Sequence, residues 1–311
     1  MKIFHATDGL KFVRGPVHLA IGVFDGIHLG HRAVIHEAIL GANSSGGSSV
    51  VLTFHPHPVK ILRPEKAPRL LTSTQHKTKL IGRLGVDALL IQDFTLDFSR
   101  TRPEVFIRQL VTAADKLTQI CVGEGWTFGA NRSGTVALLT DLATKFGFTL
   151  SSVKPVTVEG QIVSSTLVRS AVEVGNFGLA AKLLGRPFTI LGTVSEGSHL
   201  GRQLGFPTAN LRAHNEQFPP NGVYAVKAWH HDIEFGGVAN IGVRPTIDHQ
   251  SGERLLELHL FDFDQDIYGH DVEVCFLKYL RAEEKFAGLT ELRAQIAKDA
   301  ERARQIYQSE P

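Results

Sequence analysis

Cysteine is scarce in this chain, with two residues among 311. Cys121 in QICVGEG and Cys275 in VEVCFLKY lie far apart, inside apolar strand-like runs and without C-x-x-C spacing. That excludes a disulfide-stapled scaffold and reads as two reduced thiols in hydrophobic cores. Long apolar runs are missing as well: nothing approaches the roughly 18 consecutive apolar residues of a membrane helix, so no membrane partner is expected. The opening MKIFHATDGLKF lacks the apolar h-region and small-residue cleavage site of a signal peptide, which points to the cytoplasm. Blocks of Lys and Arg are absent too. The formal charge is +2 and only short mixed clusters such as ERARQ occur, so nothing demands nucleic acid. No internal repeat is visible.

What is there is 43% hydrophobic and 21% charged residues, the balance of an ordinary globular protein. The length exceeds most single domains, so two domains with separate cores are expected. In the first half, short apolar strands at VHLAIGVF (17–24), SSVVLTF (48–54), VDALLIQDF (86–94) and LTQICVG (117–123) alternate with amphipathic helices at HRAVIHEAILGA (31–42), TSTQHKTKLIGRLG (72–85) and TRPEVFIRQLVTAA (101–114). This predicts a parallel sheet with helices on both faces, a doubly wound α/β layout of nucleotide-binding type. GANSSGGSS (41–49), with little side chain to bury, reads as a loop. After about residue 190, alternating strands punctuated by Gly, Pro and Asp predict an antiparallel β-barrel, closed by the long helix LTELRAQIAKDAERARQIYQ. The helix in GNFGLAAKLLGRPF stops at Gly185 ahead of Pro187. That places the domains at 1–185 and 186–311.

In GVFDGIHLGHR (22–32) the strand is expected to end at Phe24, Gly26 and Gly30 permit a tight turn, and His31 falls near the start of the next helix. Three readings compete for His28 and His31: a metal pair, a phosphate cradle, or histidines that merely sit at a helix start. Metal is disfavoured, because His-x-x-His off a turn is not the i, i+4 helical pair of zinc hydrolases, even with His55 and His57 in the nearby TFHPHP. A helix N-terminus gathers free N–H groups and a positive dipole end, which favours phosphate. Histidines there donate hydrogen bonds as charge develops on phosphoryl oxygens.

His28-Leu-Gly-His31 resembles the HxGH signature of nucleotidyltransferases, and GVFDGIHLGHR with TFHPHP is similar to the prokaryotic bifunctional riboflavin kinase/FMN adenylyltransferase family, also called FAD synthetase. The resemblance implies a Rossmann-like HxGH domain in which His28 and His31 are catalytic and face ATP phosphates, with Gly22, Phe24, Asp25 and Gly30 also contacting ATP. In VSSTLVRSAVEVG (163–175), Ser164, Ser165 and Thr166 sit at a helix start and Arg169 lies on its first turn. Taken alone, these are an N-cap and a surface Arg. The pattern S-S-T-x-[IV]-R resembles the family's second nucleotide motif, which implies that the four residues bind the triphosphate opposite the histidines. Charge clamps on both sides suit in-line attack on an α-phosphate without a covalent nucleophile. Two motifs depart from the family pattern. His55 stands where T-F-[ED]-P has an acid, and Gly125 and Trp126 in GEGWTFG stand within G-x-[DN]-F-x-F-G; Val23 for the commoner Asn is a milder change. His57, Trp126 and Asn131 are the flavin-contacting candidates.

GSHLGRQLGFPTANL (197–211) resembles the kinase signature of the same family, and NGVYAV (221–226), GVANIGVRPTI (237–247), LELHLFDFDQDIYG (256–269) and LRAEEKF (280–286) continue the match. Gly197, Gly201 and Gly205 read as a flexible loop over which phosphates lie, while Thr208 and Asn210, at i and i+2, point to one side of an extended chain. The likeness implies that Thr208 and Asn210 hold Mg²⁺ and ATP phosphates, with Gly197 and Gly201 at ATP. It makes Glu257 the general base for the ribityl hydroxyl of riboflavin. Leu256, Leu258 and Leu260 alternate on one face and leave Glu257 and His259 on the other; by itself, Glu257 reads as a solvated carboxylate. One carboxylate, one metal and a glycine loop suffice for phosphoryl transfer. Arg281 clamps phosphate or flavin, or forms a salt bridge with Glu283 or Glu284.

The function expected is therefore phosphorylation of riboflavin to FMN in a C-terminal barrel and adenylylation of FMN to FAD in an N-terminal α/β domain, using Mg-ATP twice. Riboflavin, FMN and ATP are the expected small-molecule partners, and the oligomeric state stays open. Two other readings remain: a riboflavin kinase whose adenylyltransferase half is weakened, kept alive by His55 and Gly125, and a non-catalytic flavin- or nucleotide-binding regulator, opposed by Thr208, Asn210 and Glu257.

Overall fold

Runs that are apolar at every position must be buried on both faces, and in the computed structural model they form the inner strands of a six-stranded parallel sheet. Residues 1–196, 205–243 and 254–310 are described. By packing, the chain divides into two units, residues 1–69 with 74–165 and residues 70–73 with 166–311.

The first unit runs β1 (Lys2–His5), β2 (Pro16–Ile21), α1 (Leu29–Ser45), β3 (Ser48–His55), α2 (Pro58–Leu62), α3 (Thr74–Gly82), β4 (Ala88–Asp93), α4 (Leu96–Ser99), α5 (Pro103–Ala113), β5 (Lys116–Gly123), α6 (Val136–Phe146) and β6 (Thr149–Val153). A small hairpin of β7 (Thr157–Val158) and β8 (Gln161–Ile162) follows. The sheet order is β1-β4-β3-β2-β5-β6, every pair parallel. Side chains alternate between two cores: Leu19 and Ile21 join Leu52, Leu90 and Ile120 under α5 and α6, whereas Ala20 joins Val51, Leu89 and Cys121 under α1 and α3. The chain winds from β2 through β3 to β4, then returns to place β5 on the other side of β2. The carboxyl ends of β2 and β5 thus form the topological switch point where such sheets bind ligands.

The strand expected to reach Phe24 ends at Ile21, because Phe24 and Ile27 take left-handed φ values of 51° and 46° that no strand accommodates. The loop expected at 41–49 is also corrected: α1 continues through Ser45 and stops at Gly46, whose φ of 63° makes the left-handed cap. The serines there bond back to the helix, Ser44 Oγ to the Gly41 carbonyl at 2.9 Å and Ser45 Oγ to the Ala42 carbonyl at 3.3 Å. Gly41 is small for a packing reason, since a Cβ would run into His18 Nδ1 and Gln119 Oε1. Those two atoms are hydrogen-bonded at 2.7 Å, and buried His18 also meets Ser45 Oγ at 2.8 Å.

The second unit contains α7 (Ser165–Glu173), which starts at the last residue of the first, and α8 (Phe177–Leu184), stopped by left-handed Gly185 as expected. Six antiparallel strands follow: β9 (Thr189–Ser195), β10 (Ala209–Ala213), β11 (Gly222–His230), β12 (Ile233–Val243), β13 (Arg254–Leu260) and β14 (Asp271–Arg281). They close as β10-β13-β12-β11-β14-β9, the expected barrel. The closing helix α9 (Leu289–Ser309) lays Ala303 and Ile306 on Val223, Ala225, Phe261 and Leu280.

Gly41→Ala is expected to destabilise the protein by about 1–3 kcal/mol in denaturant unfolding, because overpacking against the His18–Gln119 pair outweighs the roughly 1 kcal/mol helix preference of alanine. A stabilised variant would show that the buried pair yields freely.

Candidate active sites

At the switch point, Gly22 through Ile27 cannot be strand or helix, and interior groups dictate their path. The Val23 carbonyl accepts from Lys77 Nζ at 2.7 Å and from Thr53 Oγ1 at 2.9 Å. The Asp25 carbonyl accepts from Ser165 Oγ at 2.9 Å. Phe24 and Asp25 are buried, and a Cβ at Gly22 would strike the Phe24 ring. The loop delivers His28 as N-cap of α1, its Nδ1 accepting the His31 N–H at 3.3 Å. An accepting Nδ1 puts the proton of the neutral ring on Nε2. The His28 and His31 rings stack with centroids 3.5 Å apart, and Phe24 meets His31 edge-on at 5.3 Å. At Gly30 a Cβ would press on the His28 ring at 3.2 Å and lie 3.8 Å from the Val163 carbonyl. His28, His31, Gly22, Phe24, Asp25, Gly30 and the segment carrying Ser164 and Ser165 are thus gathered around the first turn of α1, whose N–H groups attract anions.

Thr166 is exposed and Arg169 half-buried on α7, within the second unit. His57 caps α2, its Nδ1 accepting the Val59 N–H at 3.2 Å, and His55 Nδ1 shares a 2.7 Å hydrogen bond with Thr74 Oγ1. Trp126, just beyond β5, stacks on Phe128 at 4.5 Å and 10°. That pair ends an aromatic ladder running through Phe106, Phe98 and Phe94. Asn131 takes a left-handed φ of 54° in its loop.

Sequence reasoning missed Lys77. It sits on α3 in TSTQHKTKLIG, where a lysine among polar residues looks solvated, yet it is buried. Burial pulls its ammonium down from the ordinary 10.5 to about 8, opposed by the Asp25 carboxylate.

In the barrel, strand register sets the second site. Asn210 on β10 and Asn240 on β12 both face Glu257 on β13, one on each side. Leu256, Leu258 and Leu260 are buried while Glu257 and His259 are half-buried, as the alternation predicted. Thr208 is exposed just before β10, and its neighbour Pro207 accepts a hydrogen bond from His259 Nδ1 at 2.8 Å. A cavity of about 350 Å³ opens here, with Thr208, Asn240, Glu257 and Glu283 as polar lining and Phe206, Val223, Val238, Phe286, Leu292 and Ile296 as apolar walls. Asn240 Nδ2 donates to Glu283 Oε1 at 3.2 Å. Burial pushes the Glu257 carboxyl above the usual carboxylate range; a hydrogen bond from Asn240 opposes this and the Glu283 carboxylate adds to it. Such a group is a proton acceptor for a ligand hydroxyl, set beside walls suited to a flat aromatic ring.

Arg281 pairs with neither Glu283 nor Glu284. Its Nη2 and Nε reach Asp299 Oδ2 at 2.8 and 2.9 Å, with Gln295 also on Asp299 and the Phe286 ring 5.7 Å away. The packing of α9 supplies that partner from 18 residues along the chain, beyond any local reading. Gly197 and Gly201 lie outside the described residues.

The FAD synthetase family model matches residues 13–167 and the riboflavin kinase model residues 184–307. A bifunctional riboflavin kinase/FMN adenylyltransferase of Haemophilus influenzae is 38% identical over 310 residues, 99% of this chain and 100% of that protein. Proteins of the same name from Escherichia coli K12 (38% identical, 93% of this chain and 92% of that protein) and Bacillus subtilis 168 (37%, 97% of each) also match. A solved structure titled a macrolide-efflux protein from Streptococcus pneumoniae is similar with a TM-score of 0.81 and 29% identity, covering 98% of this chain and 99% of that one. Among the described residues here, no helix is long and apolar enough to cross a membrane.

Because Lys77 titrates near 10.5 when unfolded and about 8 when folded, the cost of burying its charge is present in full below pH 8 and fades as pH rises to 10.5. Its contribution to stability therefore increases across that window, by at most about 3 kcal/mol. Urea unfolding of wild type and Lys77→Met at several pH values should show this slope only in the wild type; parallel slopes would mean the ammonium is not buried at such cost.

Proposed function

The chain belongs to the family of bifunctional riboflavin kinase/FMN adenylyltransferases, and from that premise we propose how its residues divide two ATP-dependent reactions. One reaction moves the γ-phosphoryl group of ATP to riboflavin, giving FMN and ADP. The other moves the AMP part of ATP to FMN, giving FAD and pyrophosphate. We assign adenylyl transfer to residues 1–185 and phosphorylation to residues 186–311, supported by the extents of the two family matches. The observation that carries this reading is that each unit holds one constellation built by its own fold: histidines on a helix N-terminus suited to phosphate in the first, and in the second a register-set carboxylate suited to a ligand hydroxyl.

In adenylyl transfer a phosphate oxygen of FMN attacks the α-phosphorus and pyrophosphate leaves. His28 Nε2–H and the first N–H groups of α1 donate to phosphoryl oxygens as their charge grows, with His31 stacked against His28 to hold its ring. Gly22, Phe24, Asp25 and Gly30 shape the loop at ATP, while Ser164, Ser165, Thr166 and Arg169 bind the triphosphate. His57, Trp126 and Asn131 contact the flavin, the indole face offering stacking area. In phosphorylation Glu257 accepts the proton of the ribityl hydroxyl as that oxygen attacks the γ-phosphorus. The apolar walls hold the flavin ring, and Arg281, fixed by Asp299, lines the same cavity. Thr208 and Asn210, a hydroxyl and an amide beside a carboxylate, are the hard oxygen donors that Mg²⁺ accepts. When bound there, the ion would neutralise phosphate charge; Gly197 and Gly201 are assigned to ATP on the motif alone.

A second reading, riboflavin kinase with a weakened adenylyltransferase half, rests on His55 and Gly125. The full-length relatives that carry both names favour two activities. We place the enzyme in the cytoplasm, in keeping with free, buried Cys121 and Cys275.

A time course with riboflavin and Mg-ATP, separating riboflavin, FMN and FAD, tests the division. His28→Ala is expected to lower FAD formation from FMN about 10²–10³-fold while FMN formation persists. Glu257→Gln is expected to do the reverse, losing roughly 10²–10⁴-fold in FMN formation while still converting supplied FMN to FAD. Equal loss of both steps in either variant would overturn the two-site assignment.

A further inference from the structure

Three histidines converge on the barrel away from the cavity just described. His230 ends β11, His231 follows in the two-residue turn to β12, and His270 precedes β14. The pairing of β11 with both β12 and β14 is what brings the hairpin tip to the start of β14. His231 and Asp232 take left-handed φ values of 51° and 68°, the turn that ordinarily selects Asn-Gly. Here the first position carries an imidazole instead.

His230 Nε2 lies 2.8 Å from His270 Nδ1, and His231 Nε2 lies 3.4 Å from the same atom. The three ligand atoms are all within 4.8 Å of one another. A ring nitrogen has one in-plane direction in which to donate or accept, so His270 Nδ1 satisfies one of its two neighbours by hydrogen bonding but not both. A cation set among the three lone pairs satisfies all of them. The spacing suits one: metal–nitrogen bonds of about 2.0–2.1 Å in a tetrahedral site separate ligand nitrogens by about 3.4 Å, so the His231–His270 gap already fits and the His230–His270 gap must open by about half an ångström.

We propose that His230, His231 and His270 form a binding site for a borderline divalent transition metal, Zn²⁺, which pins the β11–β12 hairpin to the start of β14. Three neutral imidazoles suit Zn²⁺ over Mg²⁺ or Ca²⁺, which prefer oxygen. His230 is buried and backed by the Phe263 ring edge-on at 6.3 Å, whereas His231 and His270 are exposed. Water therefore has access to the fourth position. None of the three lines the flavin-sized cavity, so the site is separate from the machinery that handles Mg-ATP.

The test uses the full chain. Equilibrium dialysis against Zn²⁺ compares wild type with His231→Asn/His270→Ala; Asn suits the left-handed turn, so the hairpin keeps its backbone. The wild type is expected to retain one more equivalent of Zn²⁺ per chain, its other histidines being common to both proteins. Its Tm should rise with Zn²⁺ by mass action, and that rise should be lost in the variant. Co²⁺ should give the visible absorption of four-coordinate cobalt in the wild type alone. Single His231→Asn should weaken the retained equivalent at least tenfold while riboflavin phosphorylation with Mg-ATP is unchanged. Equal stoichiometry in wild type and the double variant, or an equal rise in Tm, overturns the site.

Discussion

The Lys77 ammonium, buried beneath the loop between β2 and α1, is the interaction on which the first unit's site depends. That loop holds two non-glycine residues, Phe24 and Ile27, at left-handed φ, a conformation that costs about 1–3 kcal/mol each and persists only when surroundings over-determine it. Lys77 supplies that determination by donating to the Val23 carbonyl, with Thr53 and Ser165 holding the same stretch from two further directions. An interior ammonium is itself unfavourable, so its carbonyl and hydroxyl acceptors and the charge of Asp25 are needed to keep it there. The chain thereby accepts a cost beneath this loop, on α3, in order to fix where a helix begins. The place where α1 begins is the place where His28 stands.

The second unit reaches a comparable end by different means. No strained loop carries Glu257; it sits mid-strand, and barrel closure gives β13 a partner on both edges. Because side chains alternate with a period of two, a slip of one residue would exchange Glu257 for buried Leu256 or Leu258. Register is thus enforced by leucines on the inner face, and the same constraint sets Asn210 and Asn240 beside the carboxylate. Helix α9 completes the cavity by offering Leu292 and Ile296 as wall and Asp299 as the anchor of Arg281. Apolar packing here positions the polar chemistry.

Much of this was legible in sequence where a local pattern carries the structural cause. The alternation of LLELHL gave the facing of Glu257, the apolar runs gave a sheet buried on both sides, and Gly185 gave a helix end. Reading failed where the cause was distant. GANSSGGSS has the composition of a loop, but Gly41 is there to clear His18 and Gln119, and its serines bond back to the helix they extend. Lys77 looks like a surface residue until the Val23 carbonyl is brought to it from 54 residues away. Arg281 has two acidic neighbours close in sequence, yet the tertiary position of Asp299 wins because it offers short bonds to two guanidinium nitrogens in a place shielded from water.

The two departures from the family pattern gain physical meaning from their neighbours. At His55 the imidazole replaces an acid and is held by the Thr74 hydroxyl on α3, the same helix that carries Lys77. At Trp126 an indole extends an aromatic ladder rooted in the core through Phe128 and Phe106. The exchange at His55 removes a carboxylate able to hold a cation, and with it a negative charge from a region proposed to receive phosphate anions; Gly125 removes the polar side chain of the [DN] position, whereas Trp126 stands where the pattern has Phe. A carboxylate and a phosphate repel each other, so an imidazole at this position asks less compensation of its surroundings than an acid does. The indole at Trp126 is a broader face than the Phe of the pattern, of the kind a flavin ring stacks upon, an aromatic pair being worth about 0.5–1.5 kcal/mol beyond the area buried. In the proposed reading the adenylyl-transfer half has lost polar groups at His55 and Gly125 and widened an aromatic face at Trp126, while the charge stabilisation that speeds the reaction rests on His28 and the first turn of α1.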